Sequence, residues 1–182
     1  MLVSERAHFD LAQRLRNEGA TLSEIFTFLS GLYFRGKVAY ARAFARPPSE
    51  CAGALVITTN RGLLPLDAAF TLEDLKRLGT VSIEPDEPRY LGPLIRDATA
   101  IAAIPDCEVV LLGSVASGKY VDPLLPLFGA RLRFPAQFVG RGDMSRGGLM
   151  LRCVAAQEEL EYIGVHGAIR RGARPPKLKP LR

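Results

Sequence analysis

The sequence has few of the residues that build metal centres, disulfide frameworks or tryptophan-lined sites. Its 182 residues include no tryptophan, two histidines and three cysteines. Cys51, Cys107 and Cys153 are odd in number and lack C-x-x-C spacing, which argues against a disulfide framework and a zinc site. Because His8 and His166 lie at opposite ends of the chain, we predict no metal site, and the sequence identifies no cofactor.

Long apolar runs are also absent. No stretch approaches the ~18 consecutive apolar residues of a membrane-spanning helix. The amino-terminal segment MLVSERAHFD carries charges where a secretory signal peptide needs an apolar run. We therefore expect a cytoplasmic protein without a membrane partner. The length suits a single domain that buries its own core, and the oligomeric state stays open.

The positive charge of the chain is concentrated at its carboxyl end. The formal net charge is +5, and residues 167–182 hold six basic residues and no acid, so that residues 1–166 carry a net charge of −1. We accordingly divide the chain into one domain, residues 1–166, and a basic tail, residues 167–182. A basic tail attracts phosphate polymers without sequence preference, which makes Arg170, Arg171 and Arg174 candidate nucleic-acid contacts. The alternative is a solvated terminus.

Strand-like and helix-like segments alternate along the domain. Unbroken apolar runs at residues 53–59 (GALVITT) and 108–113 (EVVLLG) are typical of strands covered on both faces. Helices are predicted before the first of these strands, and closing strands at 148–155 and 161–165. The predicted fold class is therefore α/β: a three-layer domain with a mostly parallel central sheet, N-terminal helices and a C-terminal antiparallel strand pair.

Ligands of such sheets bind beyond the carboxyl ends of the strands, which selects the loops Thr59–Leu66, Gly113–Lys119 and Phe134–Gly148. The second loop reads GSVASGK and matches the G-x-x-x-x-G-K pattern of phosphate-binding turns. Tyr120 follows where a magnesium-binding Ser or Thr would stand in a nucleoside triphosphatase. A structural strand-to-helix turn is the alternative to an anion-binding turn. The candidate ligand contacts here are Gly113, Ser114, Ser117, Lys119 and Tyr120.

The third loop, FPAQFVGRGDMSRGG, combines glycines with arginines. Arg141 and Arg146 can bind phosphate or carboxylate with both arms of the guanidinium. Gly142 lets the backbone approach a ligand, and Ser145 adds a hydroxyl. Asp143 is the candidate catalytic residue, as a general base or a metal ligand, or else the partner that fixes an arginine. The alternative is a surface loop held by an internal Arg–Asp pair.

Two further pairs of residues are candidate ligand contacts. Thr59 and Asn60 offer small polar groups after the first strand, although an ordinary polar loop has the same composition. Tyr33 and Lys37 lie four residues apart and share a helix face. An aromatic ring beside a base could stack on a nucleotide and neutralise it, and the alternative is a tyrosine at the edge of the core.

Four stretches, YFRGKVAYARAF, ITTNRGLLPLD, LLGSVASGKYVDPL and FVGRGDMSRGGLMLRC, resemble an uncharacterised bacterial family with a GRGDMSRGG motif. The order of elements in Leu55–Leu63 and Val109–Tyr120 is more loosely similar to YaaA-like and uracil-DNA-glycosylase-like α/β domains. That similarity implies a three-layer sheet domain that handles nucleotides or nucleic acid. The chain lacks the His-Pro-Ser motif typical of uracil-DNA glycosylases.

Together these features predict a nucleotide- or nucleic-acid-directed protein that binds a phosphate-bearing ligand through its glycine- and arginine-rich loops. One form of this hypothesis is an enzyme that acts on a nucleobase or its glycosidic bond. The alternative is a non-catalytic sensor or scaffold that binds a small phosphorylated metabolite or a protein partner. The sequence does not decide between them.

Overall fold

The computed structural model describes residues 2–178, of which about 47% are helical. Residues 179–182 of the predicted tail lie outside the described part. The helices are α1 Asp10–Asn17, α2 Leu22–Phe44, α3 Leu72–Leu78, α4 Pro88–Ala102, α5 Gly118–Phe128 and α6 Asp143–Ala156. The strands are β1 Ala20–Thr21, β2 Leu55–Ile57, β3 Leu63–Pro65, β4 Ala69–Phe70, β5 Val109–Val110, β6 Leu132–Pro135 and β7 Tyr162–Gly164. Short 3-10 turns span Gly129–Arg131 and Ala136–Phe138.

The strands form three small sheets, so the predicted three-layer α/β class with a mostly parallel central sheet is wrong. β1 pairs with β4 and β2 with β3, both antiparallel. The third sheet has the order β5-β6-β7, with β5 and β6 parallel and β6 and β7 antiparallel. The parallel register joins only Val109 to Leu132 and Val110 to Arg133. The described residues therefore form a mainly helical, mixed fold.

The strand predicted at residues 148–155 is part of α6, so the predicted pairing of 148–155 with 161–165 is also wrong. Leu149, Met150, Cys153 and Val154 all pack in one apolar cluster with the second half of α2. Their spacing follows the 3.6-residue period of a helix. The run is too short for its apolar pattern alone to distinguish a helix from a buried strand. The strand β7 pairs instead with β6, as Phe134 opposite Ile163.

Reciprocal hydrogen bonds cap the first turns of α2 and α3. The Thr21 hydroxyl accepts the Glu24 N–H, and the Glu24 carboxylate accepts the Thr21 N–H, which completes a capping box. Thr71 and Asp74 form the same reciprocal pair at the start of α3. Gly31 has φ 54° and ψ −129° inside α2, and the helix kinks there.

Three apolar clusters make up the core. The first unites α4, α5 and the β5-β6-β7 sheet, with Tyr90, Leu94 and Phe134 fully buried. The second gathers α1, α3 and the first half of α2 around residues such as Leu22. The third lies between the second half of α2 and α6 and includes Tyr40 and Met150. The site described below lies beside the third cluster.

The crossing of α2 and α6 is the most extensive contact between two helices. A Cβ atom on Gly36 would lie 2.7 Å from the Gly147 carbonyl oxygen, and one on Gly147 would lie 2.7 Å from the Leu32 oxygen. Real Cβ atoms do not approach backbone so closely, so glycine at both positions is what permits the backbones to touch. This crossing brings residues 33 and 37 beside residues 143 and 146.

We expect Gly36→Ala to destabilise the fold by about 1–3 kcal/mol, because the added methyl must push two backbones apart. Gly92 in α4 is the matched control, since a Cβ atom there meets nothing within 4 Å. Gly92→Ala should stabilise the protein by about 0.5–1 kcal/mol through helix propensity. Urea unfolding of both variants measures the two changes, and equal effects would contradict the tight crossing.

Candidate functional site

A cleft of about 1100 Å³ opens between the second half of α2, the β2–β3 hairpin, β5 and α5. This is slightly larger than the range of about 300–1,000 Å³ that small-molecule and cofactor sites occupy. Most of its wall is apolar, with Phe44, Leu55, Leu124 and Phe128 among the lining side chains. Its polar end contains several sequence-predicted residues: Tyr33, Lys37, Gly113, Ser114, Tyr120 and Asp143.

Lys37 is the central cation of this polar end. Its Nζ lies 3.9 Å from the centroid of the Tyr33 ring and 5.8 Å from that of Phe34. Within residues 2–178 no carboxylate lies within 4.0 Å of it, since the ion pairs of this region join Lys119 to Glu84 and Arg146 to Asp143. Burial lowers the pKa of Lys37 from 10.5 to about 8; the Asp143 charge opposes this change and the Arg146 charge adds to it.

Arg146 is a buried cation whose donors already have protein partners. Its side chain is 7% exposed, and Nε and Nη2 both donate to the Phe138 carbonyl, at 3.3 and 3.1 Å. Its Nη1 lies 3.8 Å from Asp143 Oδ1, and the guanidinium lies 5.4 Å from the Phe138 ring centroid. Arg146 therefore contributes its positive charge to the site more than it contributes free donors.

Two tyrosines lie close to these charges. The Tyr33 hydroxyl donates to the Leu112 carbonyl at 3.0 Å, which ties α2 to the end of β5. Burial raises the pKa of Tyr33 and also that of Tyr120, whose ring lines the same wall of the cleft. Both hydroxyls are therefore neutral at physiological pH. The Tyr33 proton is already donated to Leu112, so Tyr120 is the one of the two that can donate to a ligand.

The polar end carries one positive charge in excess. Lys37 and Arg146 are cations at neutral pH, and Asp143 is the only carboxylate among the groups that act on Lys37. Asp143 is the first residue of α6, where the helix dipole favours a negative charge, and its side chain is 66% exposed. An anion that enters the cleft would balance the remaining charge.

Residues at the start of the GSVASGK turn line the cleft, whereas those at its end do not. Gly113 and Ser114 line the cleft. Ser117 accepts the Lys119 N–H at 3.3 Å and so caps α5. The Lys119 ammonium pairs with Glu84 at 2.7 Å, and neither residue lines the cleft. The predicted role of Lys119 as a phosphate ligand therefore stays a prediction that would require this pair to open.

The carboxyl-terminal segment folds back beside the same turn. Arg170 Nη1 donates to the Val115 carbonyl at 3.3 Å, and Arg171 Nη2 donates to the Ala116 carbonyl at 3.2 Å. The backbone of Ala173 then passes so close to Gly140 that a Cβ atom there would collide with it. We call residues 170–178 the C-terminal strap. Leu178 reaches Gly148 in α6, and Arg174 and Lys177 are exposed on the strap.

Other residues of the arginine-rich stretch bond within their own segment. Arg141 donates from Nε to the Gln137 carbonyl at 3.0 Å and from Nη1 to Ser145 Oγ at 3.2 Å. Gly142 occupies the position before the first turn of α6. The expected irregular loop at residues 134–148 is thus mostly the end of β6, a 3-10 turn and the start of α6.

Thr59 and Asn60 are not brought into this group. The Thr59 hydroxyl donates to the Leu78 carbonyl at 2.6 Å, and Asn60 Nδ2 donates to the Arg77 carbonyl at 2.9 Å. Both side chains tie the β2–β3 turn to the end of α3, and neither lines the cleft. Asn60 Oδ1 is buried there without a hydrogen-bond partner among the described residues.

Sequence reasoning missed two features of the site. Cys51 and Cys107 both line the apolar part of the cleft. From the sequence they are considered only as possible metal or disulfide residues. Arg170 and Arg171 bind backbone carbonyls, which every residue has, so no sequence pattern predicts where they dock. In residues 2–178, no group of three or more His, Cys, Asp or Glu side chains is arranged to hold a metal ion. No helix in that range is long and apolar enough to cross a membrane.

We expect Lys37→Met to stabilise the protein at pH 7 by about 1–2 kcal/mol, because it removes a charge that burial disfavours. The folded-state pKa is lowered, so the unfolded chain binds more protons between pH 8 and 10.5. The free energy of unfolding of the wild type therefore rises between pH 8 and 10.5. The amount by which Lys37→Met is more stable than the wild type should become smaller over the same range. Urea unfolding at pH 7 and at pH 10 measures this.

The exposed Lys76 of α3 supplies the control for this experiment. Lys76→Met should change the free energy of unfolding by less than about 0.5 kcal/mol at either pH. A Lys37→Met protein that is less stable than the wild type at pH 7 would contradict the cost assigned to the buried ammonium.

Comparison of the chain with protein-family models, curated proteins and solved structures finds no significant match. The resemblance to the GRGDMSRGG family and to the YaaA-like and uracil-DNA-glycosylase-like domains therefore stays a prediction. The functional inference rests on the geometry of the cleft and of the strap beside it.

Proposed function

We propose that this protein binds a phosphate-bearing ligand of the nucleotide class, free or as part of a nucleic acid, in the cleft beside α2 and α6. One observation carries the proposal: Lys37 and Arg146 share a single nearby carboxylate, Asp143. Two more cations, Arg170 and Arg171, dock on the turn whose first residues, Gly113 and Ser114, line the same cleft. A polyanion is the ligand class that such an arrangement favours.

The two parts of a nucleotide match two parts of this region. The phosphate would bind beside the turn at residues 113–116, where Arg170 and Arg171 each use one donor on a backbone carbonyl and retain others of the five that a guanidinium carries. A planar base fits the apolar wall formed by side chains such as Phe44 and Phe128. The neutral hydroxyl of Tyr120, in the wall of the cleft, can donate to either part.

The strap favours a nucleic acid over a free mononucleotide. Two further bases of the strap, Arg174 and Lys177, are exposed, and a single phosphate held by Arg170 and Arg171 would leave them without a phosphate partner. A single strand could follow the strap with its backbone and place one base in the cleft, as enzymes acting on an extruded base do. An enzyme acting on that base or its glycosidic bond would use Asp143 as the general base.

A non-catalytic sensor of a small phosphorylated metabolite is the second candidate. It is favoured by the exposure of Asp143, because a general base is usually better shielded from water. All three cysteines are free thiols, as expected in a reducing compartment, and we keep the cytoplasm as the proposed location.

The first prediction on function concerns the strap. In binding assays with a short single-stranded oligonucleotide at several salt concentrations, the double variant Arg170→Gln/Arg171→Gln should bind more weakly. Removing two phosphate contacts should make the slope of log K against log salt shallower by about 1.4. Lys76→Gln/Arg77→Gln is the charge-matched control, since it also removes two positive charges and both residues are exposed on α3.

The same proteins distinguish the two ligand sizes. Thermal unfolding with mononucleotides at about a hundred times Kd should raise Tm by about 5 °C or more if the cleft alone suffices. A shift with oligonucleotides only would assign the function to a polymer. Unchanged Tm with every phosphate-bearing ligand tested would refute the proposed function.

The second prediction concerns Asp143. We expect Asp143→Asn to bind phosphate-bearing ligands about twofold to tenfold more tightly, because it removes the one negative charge beside Lys37 and keeps the shape. Isothermal titration with the tightest ligand of the thermal screen measures this. Incubation of the wild type with that ligand and chromatography of the products then separates the candidates: an enzyme loses turnover in Asp143→Asn, and a sensor has none to lose. Weaker binding by Asp143→Asn would contradict the charge balance described above.

A further inference from the structure

Lys37 has the surroundings of a reactive amine. Its Nζ lies in the cleft wall, against the Tyr33 ring, with no carboxylate within 4.0 Å in the described residues. A lysine that serves only to neutralise a neighbouring acid forms an ion pair, as Lys119 does with Glu84 at 2.7 Å. Desolvation without an ion pair is the condition under which lysine acts as a nucleophile.

We propose that the Lys37 amine is a nucleophile that forms an imine with a phosphorylated aldehyde or ketone bound in the cleft, such as the open-chain form of a sugar phosphate. The phosphate part of this statement rests on the proposed function, whereas the amine part does not. The strap arginines, docked on the turn that follows Gly113 and Ser114, would hold the phosphate, and Lys37 in the cleft wall would meet the carbonyl carbon.

The step balances without any further reactant. The neutral Lys37 amine attacks the carbonyl carbon, forming a C–N bond and an alkoxide that takes up a proton. The resulting carbinolamine loses its hydroxyl as water while the nitrogen gives up its remaining protons, and a C=N bond replaces the C=O bond. Asp143 lies close enough to affect the Lys37 charge, and its exposed carboxylate can carry these protons to and from water.

The charged groups around Lys37 support the presence of neutral amine. Burial and the Arg146 charge disfavour the ammonium, Asp143 favours it, and the hydroxyls of Tyr33 and Tyr120 are neutral. With a pKa of about 8, roughly one-tenth of the Lys37 amines are unprotonated at pH 7. An ordinary lysine with a pKa near 10.4 is unprotonated in only about 1 in 2500 molecules.

Reductive trapping tests the proposal. The full chain is incubated at pH 7 with pyridoxal 5′-phosphate at low concentration, reduced with sodium cyanoborohydride and mapped by peptide mass spectrometry. We expect at least about tenfold more adduct on Lys37 than on the exposed Lys76, and a steep rise in the Lys37 adduct as the pH is raised through 8. Lys37→Arg, which keeps the charge, should remove the major adduct while circular dichroism shows an intact fold.

Pyridoxal, which has the aldehyde but not the phosphate, separates this proposal from the proposed function. Faster labelling of Lys37 by the phosphorylated probe, suppressed by inorganic phosphate and slowed in Arg170→Gln/Arg171→Gln, supports both. Equal labelling by the two probes supports the nucleophile and contradicts the phosphate site. Adducts spread evenly over Lys37, Lys76, Lys119 and Lys177 would overturn the nucleophile, even if phosphate-bearing ligands raise Tm.

Discussion

The close crossing of α2 and α6 is the constraint on which the candidate site depends. At Gly36 and Gly147 the two backbones touch, and neither position has room for a Cβ atom. Residues three or four apart lie on one helix face, so the face that α2 turns toward α6 carries Tyr33 as well as Gly36. On α6 the same geometry places Asp143 one turn before Gly147. The polar end of the cleft is thus a direct consequence of two missing side chains.

This crossing forces two cations into one partly dry region, which is unfavourable by itself. Arg146 recovers part of the cost through two hydrogen bonds to the Phe138 carbonyl and its pair with Asp143. Lys37 has the face of the Tyr33 ring, an interaction of about 0.5–2 kcal/mol, and no carboxylate at contact distance in the described region. A fold that keeps a partly desolvated ammonium without an ion pair loses stability, and such groups are frequent at binding sites.

The sequence predicts interactions between residues that are close along the chain, such as helix caps. It does not predict which distant segments pair as strands. The capping boxes at Thr21 and Thr71 depend on residues three apart, so their spacing alone predicts them. The apolar run at residues 148–155 is short enough to satisfy both a strand and a helix period, and only its packing against α2 decides for the helix. Because residues 148–155 are helical, the strand predicted at 161–165 has no partner there, and the predicted sheet loses one strand.

The rule on the carboxyl ends of parallel strands brought residues 113 and 114 together with 143. In the structure they share the cleft with residues 33 and 37, which that rule did not select, because α2 crosses α6. The rule that selected Gly113–Lys119 also selected Thr59–Leu66, whose polar side chains tie the hairpin to α3. The same rule therefore selected residues that line the cleft and residues that do not.

The turn at residues 113–117 links the cleft to the C-terminal strap. Gly113 and Ser114 face the cleft, whereas the carbonyls of Val115 and Ala116, the next two residues, accept hydrogen bonds from Arg170 and Arg171. A ligand confined to the cleft would meet one side of this turn and leave the exposed bases of the strap in water, where they add little affinity. A longer polyanion would meet both sides and gain from every phosphate along the strap. The position of the turn therefore favours a ligand that extends beyond the cleft, with its reactive or recognised group inside and its backbone on the strap.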